Sequence, residues 1–456
     1  MSDNSNVITR TAEDFFDTDY LNYAKYVVES RAIPSVCDGF KPTQRKVAYV
    51  ANKVWKTGNE KPLKVFQLAG TVAASAYYHH GNASLEGAII AMAQDFKSSM
   101  PIFQGIGQFG SLRAPEAGAP RYVGVKFNEN FRLLYKDFEL TSQRFEEGEE
   151  IEPKFFLPII PTVLLNGGSG IAVGFATNIM NRHPLTLIDA CYDVLDKKKV
   201  RQLPPWIRGF TGTFTQLPEN HKSWLMKGKY EVKNTSTLEI TEIPPSFTYE
   251  KYEAHLDSLV EKGILHSYDD HSSEKVHYVL KFPRQTLTDL QLRGKLDETL
   301  RMCEKDSENY TTLDENGKLK IFDRVEDIVE YFVNFRLKYY TKRKDYLIKV
   351  LEEEIKNLSN RAKFIKLIID EKIQIRGVQK SILVASLQRE ALDTQEGSYD
   401  YLLSMPIQSL TQEKYDDICK RLELKEKEHE RIQKTAPEKM YRDDLKQLRS
   451  LVEKAV

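Results

Sequence analysis

Apolar residues along this chain fall into three textures. Up to about residue 126 they recur at helical spacing between glycine-rich joints. DTDYLNYAKYVVESRAIP predicts a helix entered at Asp17 or Asp19 and stopped at Pro34, and KPTQRKVAYVANKVW and SLEGAIIAMAQDF predict two more. Short helices joined in this way suit a compact helix-turn-helix or winged-helix unit. From about 127 to 320 the pattern turns to mixed α/β. STLEITEIP and KVHYVLKF alternate as half-buried strands should, and TVLLNGGSGIAVGFATNI reads as an apolar strand, a glycine turn and a second apolar run.

The third texture begins after Gly317, beyond which no glycine or proline occurs until Gly377. Leu351, Ile355, Leu358, Ala362, Ile365 and Ile369 are spaced alternately four and three apart, an a/d seam with charged residues on the other faces. A helix of about 50 residues would be roughly 75 Å long at 1.5 Å per residue. A helical knot is expected from about 378 to 412. The charged helix TQEKYDDICKRLELKEKEHERIQK then runs back antiparallel and breaks near Pro437. The expected fold class is α+β and multidomain: a loose start at 1–12, a winged-helix domain at 13–126, a mixed α/β domain at 127–320, and a capped antiparallel coiled coil at 321–456.

A length of 456 residues is too great for one ordinary core, which supports this division. Lys+Arg and Asp+Glu both number 66, so net charge identifies no partner, but its distribution is informative. Residues 41–64 hold seven Lys/Arg against Glu60 alone, whereas 137–152 hold seven acids against Arg144. The first block attracts phosphate and the second repels it. The four cysteines, at 37, 191, 303 and 419, have no zinc-ligand spacing and fit thiols of a reducing compartment. No secretory leader and no membrane-spanning run is expected, which points to a cytoplasmic protein.

The stretch GAPRYVGVK places Tyr122 directly behind Arg121 with no acidic side chain nearby. A phenol with a pKa near 10 is only about one part in a thousand ionised at pH 7. A nucleophilic tyrosine therefore needs cations to favour its phenolate and to hold the phosphate it attacks. Arg121 keeps its proton and presents a planar fork to phosphate oxygens. SAYYHHGN adds His79 and His80, and ESRAIPSVCDGFKPTQRK adds Arg31, Lys41, Arg45 and Lys46. The Asp17–Asp19 pair could be read as magnesium carboxylates, but its place at a helix start favours capping. The glycines of PIFQGIGQFGS suit either phosphate approach or a turn. No GxxxxGK[ST] loop occurs.

Taken together, RAIPSVCDGFKPTQRKV, LKVFQLAGTVAASAYYHHGNASL, GIGQFGS, APRYV and EPKFFLPIIPTVLLNGGSGIAVGFATNI resemble, in order and spacing, the breakage-and-reunion region of type IIA DNA topoisomerases. YDYLLSMPIQSLTQEKYDDI resembles the exit gate of the same family. The branch most similar is that of separate breakage subunits, as in T-even-type phages. The resemblance implies a tower domain at 127–320 and a dimerising C-gate at 321–456. It implies Tyr122 as the nucleophile that becomes joined to a DNA 5′ phosphate, with Arg121 stabilising the transition state, Arg31 standing beside it in the catalytic set, and His79 or His80, preferably His80, near the scissile phosphate. Lys41, Arg45 and Lys46 would grip the DNA backbone, and Ile171 would wedge between base pairs.

The family's Mg²⁺ is held by TOPRIM carboxylates that have no counterpart in this sequence. Mg²⁺ and ATP are therefore expected on a partner large subunit carrying TOPRIM and ATPase domains. The expected partners are that subunit, double-stranded DNA and a second copy of the chain. Gyrases place a serine and, four residues on, an acid after their HG; Ala83 and Gly87 stand there, which implies weak quinolone action. The alternatives are a tyrosine recombinase or relaxase, neither of which predicts the long terminal stalk, and a non-enzymatic coiled-coil DNA-organising protein in which Tyr122 only packs.

Overall fold

The structure is a computed structural model, and it describes residues 10–56, 61–76, 78, 80–375, 377–395 and 397–455. It is α+β and divides into two compact units: the chain up to Arg336 together with Asp444 onward, and Leu337–Asp443.

The first helical segment starts earlier than its sequence suggests. Thr11 caps it, its side chain accepting from Asp14 N–H at 3.1 Å, so Asp17 and Asp19 lie inside the helix and not at its start. π-type turns at Phe15–Tyr20 and Val28–Ala32 flank Leu21–Val27. Ile33 then turns extended, as the residue before a proline must.

Helices Pro42–Val54, Val65–Ser75 and Asn82–Ala93 pack on one another through Val47, Ala51, Leu68, Val72, Leu85 and Ile89, all buried. Gly124–Phe127 is the central strand of a small antiparallel sheet, between Leu63–Lys64 and Phe103–Ile106. Trp55 locks the sheet to the helices, stacked on Phe127 with ring centroids 6.1 Å apart.

Further along, Thr162–Leu165 is a buried helical turn and not the expected strand. Periodicity cannot separate the two over so short an apolar run, and Pro161 starts the turn. Gly168–Ile171 and Ala176–Ile179 form a hairpin instead. STLEITEIP and KVHYVLKF do supply strands: Thr237–Glu242 and Tyr278–Lys281 are the inner pair of a four-stranded antiparallel sheet. Helix Tyr249–Glu261 covers that sheet, and Leu238, Ile240, Tyr252, Leu256, Tyr278 and Leu280 fill the space between.

The seam helix runs from Val325 to Ile369, 45 residues. Within the second unit, Ala362 and Ile365 pack against Ile418 of helix Gln412–Lys434, while Lys425 pairs with Glu354 at 2.9 Å and Tyr441 stacks on Tyr340. Rising numbers on one helix meet falling numbers on the other, so the pair is antiparallel. Ile369 leaves the seam and is exposed. At that end Phe364 and Leu367 enter a separate core with Leu383, Leu387, Tyr399 and Leu402, and this core is the expected helical knot.

Candidate active site

Tyr122 lies two residues before the central strand and is 68% exposed, so it is not a packing tyrosine. Its N–H donates to Ala119 O at 2.8 Å, closing a turn. The Arg121 guanidinium stands 4.9 Å from the centre of its ring, and Lys64 Nζ donates to its carbonyl at 2.6 Å. Lys64 belongs to the basic block, but no sequence signal tied it to Tyr122.

The loop that delivers the tyrosine is held by two buried side chains that the motifs did not reveal. Gln94 Nε2 donates to Phe109 O at 2.8 Å and Pro115 O at 3.0 Å. Arg113 donates to Pro244 O, Phe247 O and Ile243 O and pairs with Glu242 at 2.5 Å. The glycines here serve the turn: a Cβ on Gly105 would sit 2.5 Å from the Phe109 ring.

His80 lies elsewhere. Val65 and Phe66 donate to Val123 O and Pro120 O, which seats the tyrosine turn on the N-terminal end of helix Val65–Ser75. His80 follows the C-terminal end, just before helix Asn82–Ala93. An 11-residue helix spans roughly 16 Å at 1.5 Å per residue. Among the described residues no hydrogen bond, ion pair or ring contact links Tyr122 to His80 or Arg31. His80 Nε2 lies 2.8 Å from the Tyr26 hydroxyl, and its ring meets Tyr78 edge-on at 5.3 Å. His79 lies outside the described residues.

Arg31, Lys41 and Ile171 form a second group. Lys41 Nζ donates to Ser169 O at 2.7 Å, and burial pushes this ammonium's pKa down. Gly170 lies so close to the segment carrying Arg31 that a Cβ there would be 2.1 Å from Ala32 O. The hairpin held in this way ends at Ile171, which is 88% exposed and is not a core isoleucine.

Lys41, Arg45 and Lys46, the three cations expected to grip phosphate, have different surroundings. Arg45 is buried and donates to both Asp38 oxygens, at 2.7 and 3.0 Å; the same carboxylate accepts Phe40 and Phe156 N–H. A cation enclosed and neutralised in this way supports the turn at Gly39. Lys46 pairs with buried Glu152 at 3.0 Å and donates to Ala76 O. Lys41 spends one donor on Ser169 and keeps two.

The surroundings of Tyr122 do not fit a magnesium ion, since its nearest charged partners, Arg121 and Lys64, are both cationic. Among the described residues no group of three or more His, Cys, Asp or Glu is placed to hold a metal. Asp19 pairs with Arg10. Among the described residues no helix is long and apolar enough to cross a membrane.

An exposed tyrosine flanked by cations, a protruding apolar hairpin and a long antiparallel helix pair occur here together. The chain belongs to the DNA gyrase/topoisomerase IV family of A-type subunits, whose model matches residues 31–446. The DNA topoisomerase medium subunit of Enterobacteria phage T4 is 33% identical over 445 residues, covering 96% of this chain and 99% of that one. DNA topoisomerase 2, mitochondrial, of Dictyostelium discoideum is 32% identical over 462 residues, covering 98% of this chain. This chain spans only 35% of that relative's length. The solved DNA-binding, cleavage and re-ligation domain of Plasmodium falciparum topoisomerase II matches with a TM-score of 0.85 at 32% identity, over 96% of this chain and 64% of that one.

Proposed function

We propose that this chain is the DNA breakage-and-rejoining subunit of an ATP-dependent type IIA topoisomerase. The observation that carries the reading is Tyr122, 68% exposed with Arg121 4.9 Å from its ring, in a chain that resembles a solved DNA-binding, cleavage and re-ligation domain. The tyrosine oxygen attacks a backbone phosphorus, a Tyr–O–P bond forms to the 5′ phosphate, and the bond to the 3′ oxygen breaks. The phenol's proton is lost and the 3′ hydroxyl gains one. One phosphodiester replaces another, so resealing needs no external energy. Arg121 stabilises the crowded phosphate, while Arg31 and His80 complete the site.

Because Tyr122 and His80 lie at opposite ends of one helix, a complete site takes its two halves from two copies of the chain. This supports a homodimer. We assign 13–126 to a winged-helix cleavage domain, 127–320 to the tower, and 321–456 to the coiled coil and C-gate. Lys41 contacts backbone phosphate and Ile171 opens a base step. Mg²⁺ and ATP would be held by a TOPRIM/ATPase large subunit, and the charge this chain itself brings to the phosphate is that of Arg121. The assembly relaxes and decatenates DNA in a cytoplasmic compartment.

The test combines this chain, the large subunit, Mg²⁺ and supercoiled DNA, with a detergent quench and peptide mapping. Nucleotide on Tyr122, absent in Tyr122→Phe, is expected. Nucleotide on another residue, or relaxation with no adduct, overturns the assignment. Robust cleavage by the chain alone overturns the partner requirement.

A further inference from the structure

We propose that Tyr26 is a positioning residue for His80, fixing the imidazole so that Nδ1–H is the donor left to meet a DNA phosphate. This rests on the cleavage reading above. The contact is the 2.8 Å hydrogen bond between the Tyr26 hydroxyl and His80 Nε2. Both partners come from anchored places. Tyr26 immediately precedes Val27 and Val28, which are buried with Ile33 and Leu313, so its segment has a fixed base. That segment continues to Arg31. His80 is braced by the Tyr78 ring and leads directly into the first turn of helix Asn82–Ala93. One hydroxyl therefore ties the histidine to the segment that carries the arginine.

The chemistry follows from the number of protons on the ring. A neutral imidazole has one donor nitrogen and one acceptor nitrogen. A phosphate oxygen at Nδ1 requires the tautomer that carries its proton on Nδ1, and the Tyr26 hydroxyl, which can donate as well as accept, then donates into Nε2. On protonation Nε2–H turns to the tyrosine oxygen and Nδ1–H remains a donor. The reverse tautomer would leave Nδ1 an acceptor, which repels a phosphate. Tyr26 thus satisfies Nε2 in either charge state while Nδ1–H faces the phosphate.

Both groups line one groove, of about 630 Å³, together with Lys25, Lys46, Glu29 and Glu152. Tyr26 is partly exposed, so removing its hydroxyl leaves the fold intact.

The test is Tyr26→Phe in the full chain, assayed with the large subunit, Mg²⁺ and DNA. The rate of Tyr122 adduct formation is expected to fall about 5–10-fold, the effect of one neutral hydrogen bond. DNA affinity and melting temperature should stay unchanged, which a merely structural role would not allow. In parallel, ¹⁵N spectra of the His80 ring should show Nδ1–H in the unmutated protein and lose that preference in the variant. An Nε2–H ring in the unmutated protein, or an undiminished adduct rate in the variant, overturns the proposal. Absence of any Tyr122 adduct in the unmutated protein overturns the cleavage reading instead, and the ¹⁵N spectra still decide the Tyr26 contact.

Discussion

Replacing Ile171 with alanine separates a DNA wedge from a structural residue. At 88% exposure the side chain contributes almost nothing to the folded core, so Ile171→Ala should alter stability by no more than about 0.5 kcal/mol. A wedge seated between bases is buried only in the complex. The substitution removes three carbons, and at about 0.8 kcal/mol per buried CH₂ the bent complex loses about 2.4 kcal/mol, roughly a 50-fold shift toward unbent DNA. The assay is energy transfer between dyes at the two ends of a linear duplex, titrated with either protein at fixed salt. Encounter affinity is set by the backbone cations and should change little. An unchanged bend would refute the wedge. A loss of stability of the size that truncating a buried isoleucine gives, about 2–5 kcal/mol, would refute the exposed hairpin.

Three further outcomes are expected. Asp38→Ala leaves the buried Arg45 charge uncompensated and should destabilise the first unit by about 3–5 kcal/mol, with unchanged DNA affinity per folded molecule; reduced affinity at normal stability would restore Arg45 to the DNA contact. The side-chain hydrogen bond from Arg201 holds the Asp193 carboxyl below its ordinary 3.8, so its stabilisation is complete above that value and is lost as pH falls through the depressed one. Asp193→Asn should therefore flatten the acid limb of an unfolding profile, and an unaltered limb would refute this. Ala83→Ser with Gly87→Glu restores a hydroxyl and a carboxylate four residues apart on an open helix face, and should raise quinolone-stabilised cleavage in the reconstituted enzyme.

The sequence by itself determined the elements whose signals are local. The a/d spacing from Leu351 specified the long helix, because a charged chain without glycine or proline has one way to bury such a stripe. The alternation in STLEITEIP specified a strand for the same kind of reason. Arg121 and Tyr122 were legible because the pairing of phenol and cation is written in adjacent positions. Tertiary structure decided everything that depends on what lies opposite. Arg45, Lys46 and Lys41 are equivalent as letters, yet two meet Asp38 and Glu152 and the third meets the hairpin. Ile171 and Ile179 lie at opposite ends and on opposite faces of one hairpin, one exposed and the other buried. Gly170 is required by the carbonyl of Ala32, 138 positions earlier in the chain, and Tyr26 meets His80 across 54 residues. A side chain's charge and shape belong to the sequence, but whether that charge is neutralised or that shape enclosed depends on partners that only the folded chain brings within a few ångströms.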